Sequence, residues 1–90
     1  MIETEITIVN KLGLHARAAA KFVNTATEYA SEIRVGRDKA SVSDAKSIMS
    51  VMMLGAAKGS VLYLNAEGPD EQQALDALCD LVDRRFDEEE

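Results

Sequence analysis

Residues 2–9, Ile-Glu-Thr-Glu-Ile-Thr-Ile-Val, alternate apolar Ile6 and Ile8 with polar Glu5 and Thr7. That two-residue period predicts a half-buried strand. Asn10 to His15 then reads as a loop, with Gly13 as the natural place for a positive φ. From Ala16 the period lengthens. Ala19, Phe22, Val23, Ala26 and Ala30 fall on one helical face, and Arg17, Lys21, Asn24 and Glu28 fall on the other. A helix therefore starts directly after His15.

Short strands are predicted at Glu32–Val35 and Ala40–Val42, joined by the hairpin loop Gly36-Arg37-Asp38-Lys39. Ser47–Leu54 reads as a short apolar helix, with Ser47 as a favourable N-cap and Gly55 near its end. Val61–Ala66 alternates again as a strand. In the last element Gly68 and Pro69 suit a cap and first helical position, and Asp70 and Glu71 suit the positive end of the dipole. Leu75, Leu78 and Val82 line its inner face, and Arg84 and Arg85 fall in its closing turn. The order β-α-β-β-α-β-α predicts an α+β fold, with helices on one side of a small antiparallel sheet.

Composition narrows the class. Ninety residues make one domain over 1–90, with a single core built mainly from aliphatic side chains, since only Phe22, Tyr29, Tyr63 and Phe86 are aromatic. Sixteen acidic against ten basic residues give a net charge of −6, which argues against nucleic acid as a partner. Part of that excess lies in Asp87-Glu88-Glu89-Glu90, read as a frayed, solvated tail over 87–90. The lone cysteine, Cys79, permits no internal disulfide and reads as core packing on the last helix. No apolar stretch reaches the roughly 20 residues of a membrane span and no signal pattern opens the chain, so a soluble cytoplasmic monomer is expected.

The chemistry centres on His15. It precedes a helical turn whose first backbone N–H groups lack partners, and such groups together with the helix dipole form an anion site. An exposed imidazole there combines a nucleophile with a place to hold a phosphate, and Arg17 two residues on can add a charge-assisted hydrogen bond. The pattern by itself leaves the ordinary alternative open, because a single histidine at a helix start is usually a surface or capping residue. One His and one Cys supply no zinc cluster, no cofactor motif is present, and Gly55 and Gly59 lack the phosphate-loop pattern. A second feature is the middle helix. Ile48, Met49, Val51, Met52 and Met53 make it apolar on nearly every side, more than one sheet can bury. Ile48, Met49 and Met52 are the candidate docking patch, where pliable methionines suit several partners.

The segment Gly13-Leu14-His15-Ala16-Arg17, running on through Ala-Ala-Ala-Lys-Phe-Val, resembles the active-site signature of HPr, the histidine-containing phosphocarrier of the bacterial phosphotransferase system. Lys46-Ser47-Ile48-Met49-Ser50-Val51-Met52 is similar to the same family's regulatory-serine segment. The resemblance implies an open-faced β-sandwich of four antiparallel strands and three helices. It implies that His15 takes a phosphoryl group on Nδ1 from phosphorylated enzyme I, itself charged by phosphoenolpyruvate, and passes it to a IIA protein in sugar uptake and its regulation. Such a chain is an intermediate in phosphoryl transfer, not an independent catalyst. Arg17 matches the active-site arginine, and Ser47 matches the serine phosphorylated by an HPr kinase. Ala18 departs from the family, where proline is common and presets φ for the first turn.

Three other readings compete. A nitrogen-related or purely regulatory branch of the family also ends in an acidic tail after phenylalanine. An acyl carrier is small and acidic with a modifiable serine, but it is all-helical and places Asp directly before that serine, where this chain has Lys46. A small RNA-binding module is disfavoured by the acidity and the missing aromatic platform.

Overall fold

A computed structural model describes residues 1–89. The elements run β1 (Ile2–Thr7), α1 (Ala16–Thr27), β2 (Glu32–Gly36), β3 (Val42–Asp44), α2 (Ile48–Met53), β4 (Val61–Glu67) and α3 (Glu71–Asp83). The strands form one antiparallel sheet in the order β1-β4-β2-β3, as the alternation predicts. Ile6 lies opposite Leu62, Val35 opposite Leu64 and Ile33 opposite Ala66, so one face of the sheet is apolar. The other face carries Glu3, Glu5, Arg34, Tyr63 and Asn65, with Arg34 donating to Asn65 at 3.1 Å. All three helices bury side chains in the single core on the apolar face. Phe22 and Phe86 are its largest fully buried residues.

Local side chains move several boundaries from those the sequence predicts. Helix α1 stops at Thr27 and leaves Ala30 exposed, outside the helix. The cause is Asp70, whose carboxylate accepts the amides of Ala30 and Ser31, each at 2.9 Å, and turns the chain toward β2. The same engagement puts Asp70, not Gly68, at the cap of α3, which begins at Glu71. Strand β3 occupies Val42–Asp44 instead of Ala40–Val42. Asp38 accepts the Ala40 amide through its side chain and the Ser41 amide through its carbonyl, so the turn extends through Ser41. Ser47 caps α2 as predicted, accepting the Ser50 amide at 3.3 Å.

The largest correction concerns the tail. Helix α3 ends at Asp83, and Arg85, Phe86 and Asp87 adopt φ of 58, 54 and 63°, a single left-handed turn closed by Asp87 N–H to Arg84 O at 3.0 Å. Phe86 is fully buried, and its carbonyl accepts Lys21 Nζ at 2.7 Å. Residues 87–88 are thus pinned against the body of the protein and not frayed, because an aromatic anchor precedes them. Glu90 lies outside the described residues. No helix among the described residues is long and apolar enough to cross a membrane.

Candidate functional site

The loop between β1 and α1 is built to aim His15. Asn10 is buried, and its Nδ2 donates to Gly13 O at 2.7 Å, while Gly13 N–H returns to Asn10 O at 3.2 Å. Gly13 holds a φ of +68°, and a Cβ there would sit 2.5 Å from Ala56 O. Only glycine fits both conditions. Leu14 is then buried and donates to that same carbonyl at 2.8 Å, fixing the residue before the histidine.

His15 is the extended N-cap residue of α1, with φ −73° and ψ 176°. Its carbonyl accepts Ala19 N–H at 2.8 Å, but its side chain caps nothing. The amides of Ala16, Arg17 and Ala18 lie ahead of the first intrahelical bond, so they keep their donors directed outward along the axis. No acidic side chain occupies the first turn to neutralise them. The donors are therefore open at the place where the sequence leads one to expect an anion site. Ala18 and Ala19 are fully buried and Phe22 nearly so, which anchors the helix from within.

Around the histidine lies a shallow depression lined by Lys11, Leu12, His15, Ala16, Arg17 and Glu88. Arg17 is exposed on its rim, and its guanidinium makes no hydrogen bond or ion pair among the described residues. The imidazole is half-buried, and its Nε2 meets the Glu88 carboxylate at short range. The other Glu88 oxygen accepts Asn10 Nδ2 at 3.0 Å. Burial pushes the Glu88 carboxyl up, but hydrogen bonds from His15 and Asn10, with the charges of His15 and Lys21, hold it below the usual range.

The structure brings His15 and Arg17 to one depression and places the predicted docking residues on α2. Ile48, Met49 and Met52 are exposed, as is Met53 at 80%, while Val51 is fully buried. Gly55 leads from α2 into Ala56, whose carbonyl takes the Leu14 amide, so the end of α2 abuts the residue before His15. Leu12, 69% exposed, adds an apolar side chain on the His15 side. Ser47 stands at the opposite end of α2, half-buried. Cys79 packs partly against the core; burial and the neighbouring Asp83 and Asp76 push its thiol up, which makes it a poor nucleophile.

Sequence reasoning missed Asn10 and Glu88. Glu88 lies 73 positions from His15, and nothing local links them. The one available signal was Phe86, a lone aromatic among charges, which needs somewhere to be buried.

Comparison with known proteins agrees with this geometry. Residues 2–84 match the family described as "PTS HPr component phosphorylation site". The phosphocarrier protein HPr of Pseudomonas aeruginosa is 60% identical over 86 residues, covering 96% of each chain. The phosphocarrier protein NPr of Shewanella violacea is 46% identical over 89 residues, covering 97% of this chain and 94% of its own. The crystal structure of HPr-C-His from Thermoanaerobacter tengcongensis superimposes with a TM-score of 0.93 at 49% identity, over the whole of both chains. The match over residues 2–84, with relatives and a solved structure similar over nearly the whole chain, shows that the chain belongs to the HPr phosphocarrier family of the phosphotransferase system.

Proposed function

We propose that His15 accepts a phosphoryl group from phosphorylated enzyme I and delivers it to a IIA protein. The observation that carries this reading is the uncapped start of α1, where a half-buried imidazole stands beside unpaired amides. Nucleophilic attack by Nδ1 on phosphorus leaves a dianionic phosphoryl group beside those donors and the Arg17 guanidinium. The helix holds the charge without reorganising, which keeps acceptance and donation close to balanced. A carrier needs that balance, because over-stabilising the phosphorylated form would stop onward transfer.

In this reading Ile48, Met49 and Met52 dock enzyme I and IIA in turn, since an adaptable apolar surface suits unlike partners. Ser47 is the site of an ATP-dependent HPr kinase. A phosphate there stays compatible with the helix start, and its charge of about −1.5 to −2 falls at the edge of the docking surface and hinders binding.

A second reading rests on the 46% identity to an NPr and on the phenylalanine-anchored acidic tail. It assigns the chain to a nitrogen-related or regulatory phosphorelay with its own enzyme I and IIA counterparts. The test is incubation with phosphoenolpyruvate, enzyme I from each branch and the candidate IIA proteins. Acid-labile, alkali-stable phosphate on wild type and none on His15→Ala supports the carrier role, and the enzyme I that charges it faster identifies the branch. Phosphate on His15→Ala would defeat it.

A further inference from the structure

The contact between Glu88 and His15 is assembled at a distance and at a cost. Three consecutive non-glycine residues, Arg85 to Asp87, take left-handed backbone angles. That backbone conformation is unfavourable for a residue with a Cβ. Full burial of Phe86, the Lys21 bond to its carbonyl and the Glu88 N–H to Arg85 O bond at 2.9 Å oppose that strain. The outcome of the turn is the aim of one side chain. Glu88 places one oxygen on His15 Nε2 and the other on the buried Asn10 amide, which is itself fixed to the His15 loop through Gly13.

A carboxylate accepts hydrogen bonds and cannot donate them when ionised. Its contact with Nε2 therefore requires a proton on Nε2, so that in the neutral ring the lone pair lies on Nδ1. It also covers the ring nitrogen that would otherwise compete for phosphorus. We propose that Glu88 is a positioning residue that directs phosphorylation of His15 to Nδ1, by pairing with Nε2–H and opposing the ring charge that forms. The proposal rests on the carrier reading of His15.

The step balances as follows. The Nδ1 lone pair forms a bond to the phosphorus of a phosphorylated donor nitrogen. The donor P–N bond breaks, and its electron pair returns to the donor. Nε2 keeps its hydrogen throughout, so the His15 ring becomes cationic, facing the Glu88 carboxylate. The arrangement matches the logic by which a buried aspartate fixes the tautomer of a catalytic histidine and stabilises its imidazolium. Arg17 and Lys11 line the same depression and Lys21 lies near Glu88, so the carboxylate is not the sole charge at the site.

The test compares wild type, Glu88→Ala and Glu88→Gln with two donors, enzyme I charged by phosphoenolpyruvate and the small molecule potassium phosphoramidate. Phosphorus NMR distinguishes Nδ1-phosphohistidine from the Nε2 isomer. Wild type should give the Nδ1 isomer with both donors. Glu88→Ala should lose roughly tenfold in initial rate, the size of one charge-assisted hydrogen bond, and should give substantial Nε2 isomer with phosphoramidate. Glu88→Gln, whose amide oxygen still accepts from Nε2, should keep the isomer ratio while losing rate. An unchanged rate and isomer ratio in Glu88→Ala would overturn the proposal. So would a faster rate, which would mean that the tail obstructs the histidine. If wild type reacts with phosphoramidate but not with either enzyme I, the carrier reading fails, and the isomer ratio still decides the role of Glu88.

Discussion

Helices α1 and α2 both begin on a residue in extended conformation, and they treat their unpaired amides in opposite ways. At α2, Ser47 Oγ accepts the Ser50 amide, as a cap should. That short helix buries only Val51, so its cap is a substantial part of what holds it. At α1, the cap residue is a histidine whose side chain makes no cap bond. The amides stay open, and five buried residues, Ala18, Ala19, Phe22, Val23 and Ala26, secure the helix instead. A small protein can thus leave polar groups unsatisfied where burial elsewhere holds the element in place. An anion site is affordable at a helix start only when packing elsewhere carries the stability.

The comparison breaks most visibly if α1 is given a proper cap. His15→Ser should accept no phosphate from enzyme I, while its stability stays within about 1 kcal/mol of wild type, the cap offsetting the lost Glu88 contact. Transfer assays and denaturant unfolding measure the two halves of that statement. The next effect lies on the exposed side of α2. Met49→Glu or Met52→Glu should weaken transfer to both enzyme I and IIA by about 1–2 kcal/mol, or roughly tenfold in KM. Circular dichroism should be unchanged, since both side chains are exposed.

Smaller effects sharpen the contrast at Ser47. Ser47→Ala should cost about 1 kcal/mol of stability, transfer phosphate normally and resist the kinase. Ser47→Asp should keep the cap and accept phosphate severalfold more slowly. If Ser47→Asp matches wild type, the serine is a cap and nothing more. The smallest effect is that of pH on the tail. The Glu88 carboxyl is held below its usual range by His15 and Asn10 despite burial. Its contribution to tail docking is therefore fully present above the ordinary carboxylate value and is lost as pH falls through the depressed native one. Amide exchange at Phe86–Glu88, followed from neutral to acidic pH, should show the tail releasing in that window.

Most of the frame was legible in the sequence because periodicity reports burial directly. The alternation of Ile6 and Ile8 and the helical spacing of Ala19, Phe22, Val23 and Ala26 each correspond to core positions. Gly13 and Ser47 were legible because their conformational roles are local. The misplaced ends of α1 and α3 and the missed tail contact share one cause, a long-range polar contact, whereas β3 is shifted by the local bonds of Asp38. Asp70 ends α1 early and displaces the start of α3 by holding the Ala30 and Ser31 amides, a link across 40 and 39 positions. Glu88 likewise joins a site written entirely between Asn10 and Arg17. Side chains of that reach leave no period in the sequence. The left-handed turn at Arg85–Asp87 was equally hidden, since no glycine or asparagine marks it.

If His15 carries phosphate, the open amides at the start of α1 hold it. Amide chemical shifts of nitrogen-15-labelled protein, recorded before and after charging with enzyme I and phosphoenolpyruvate, decide this. One phosphohistidine signal should appear, with the largest amide shifts at Ala16, Arg17 and Ala18 and little change at Ser50 beside the capped start of α2. Phosphohistidine formed without movement of the α1 amides, or phosphate on any other residue, would contradict it.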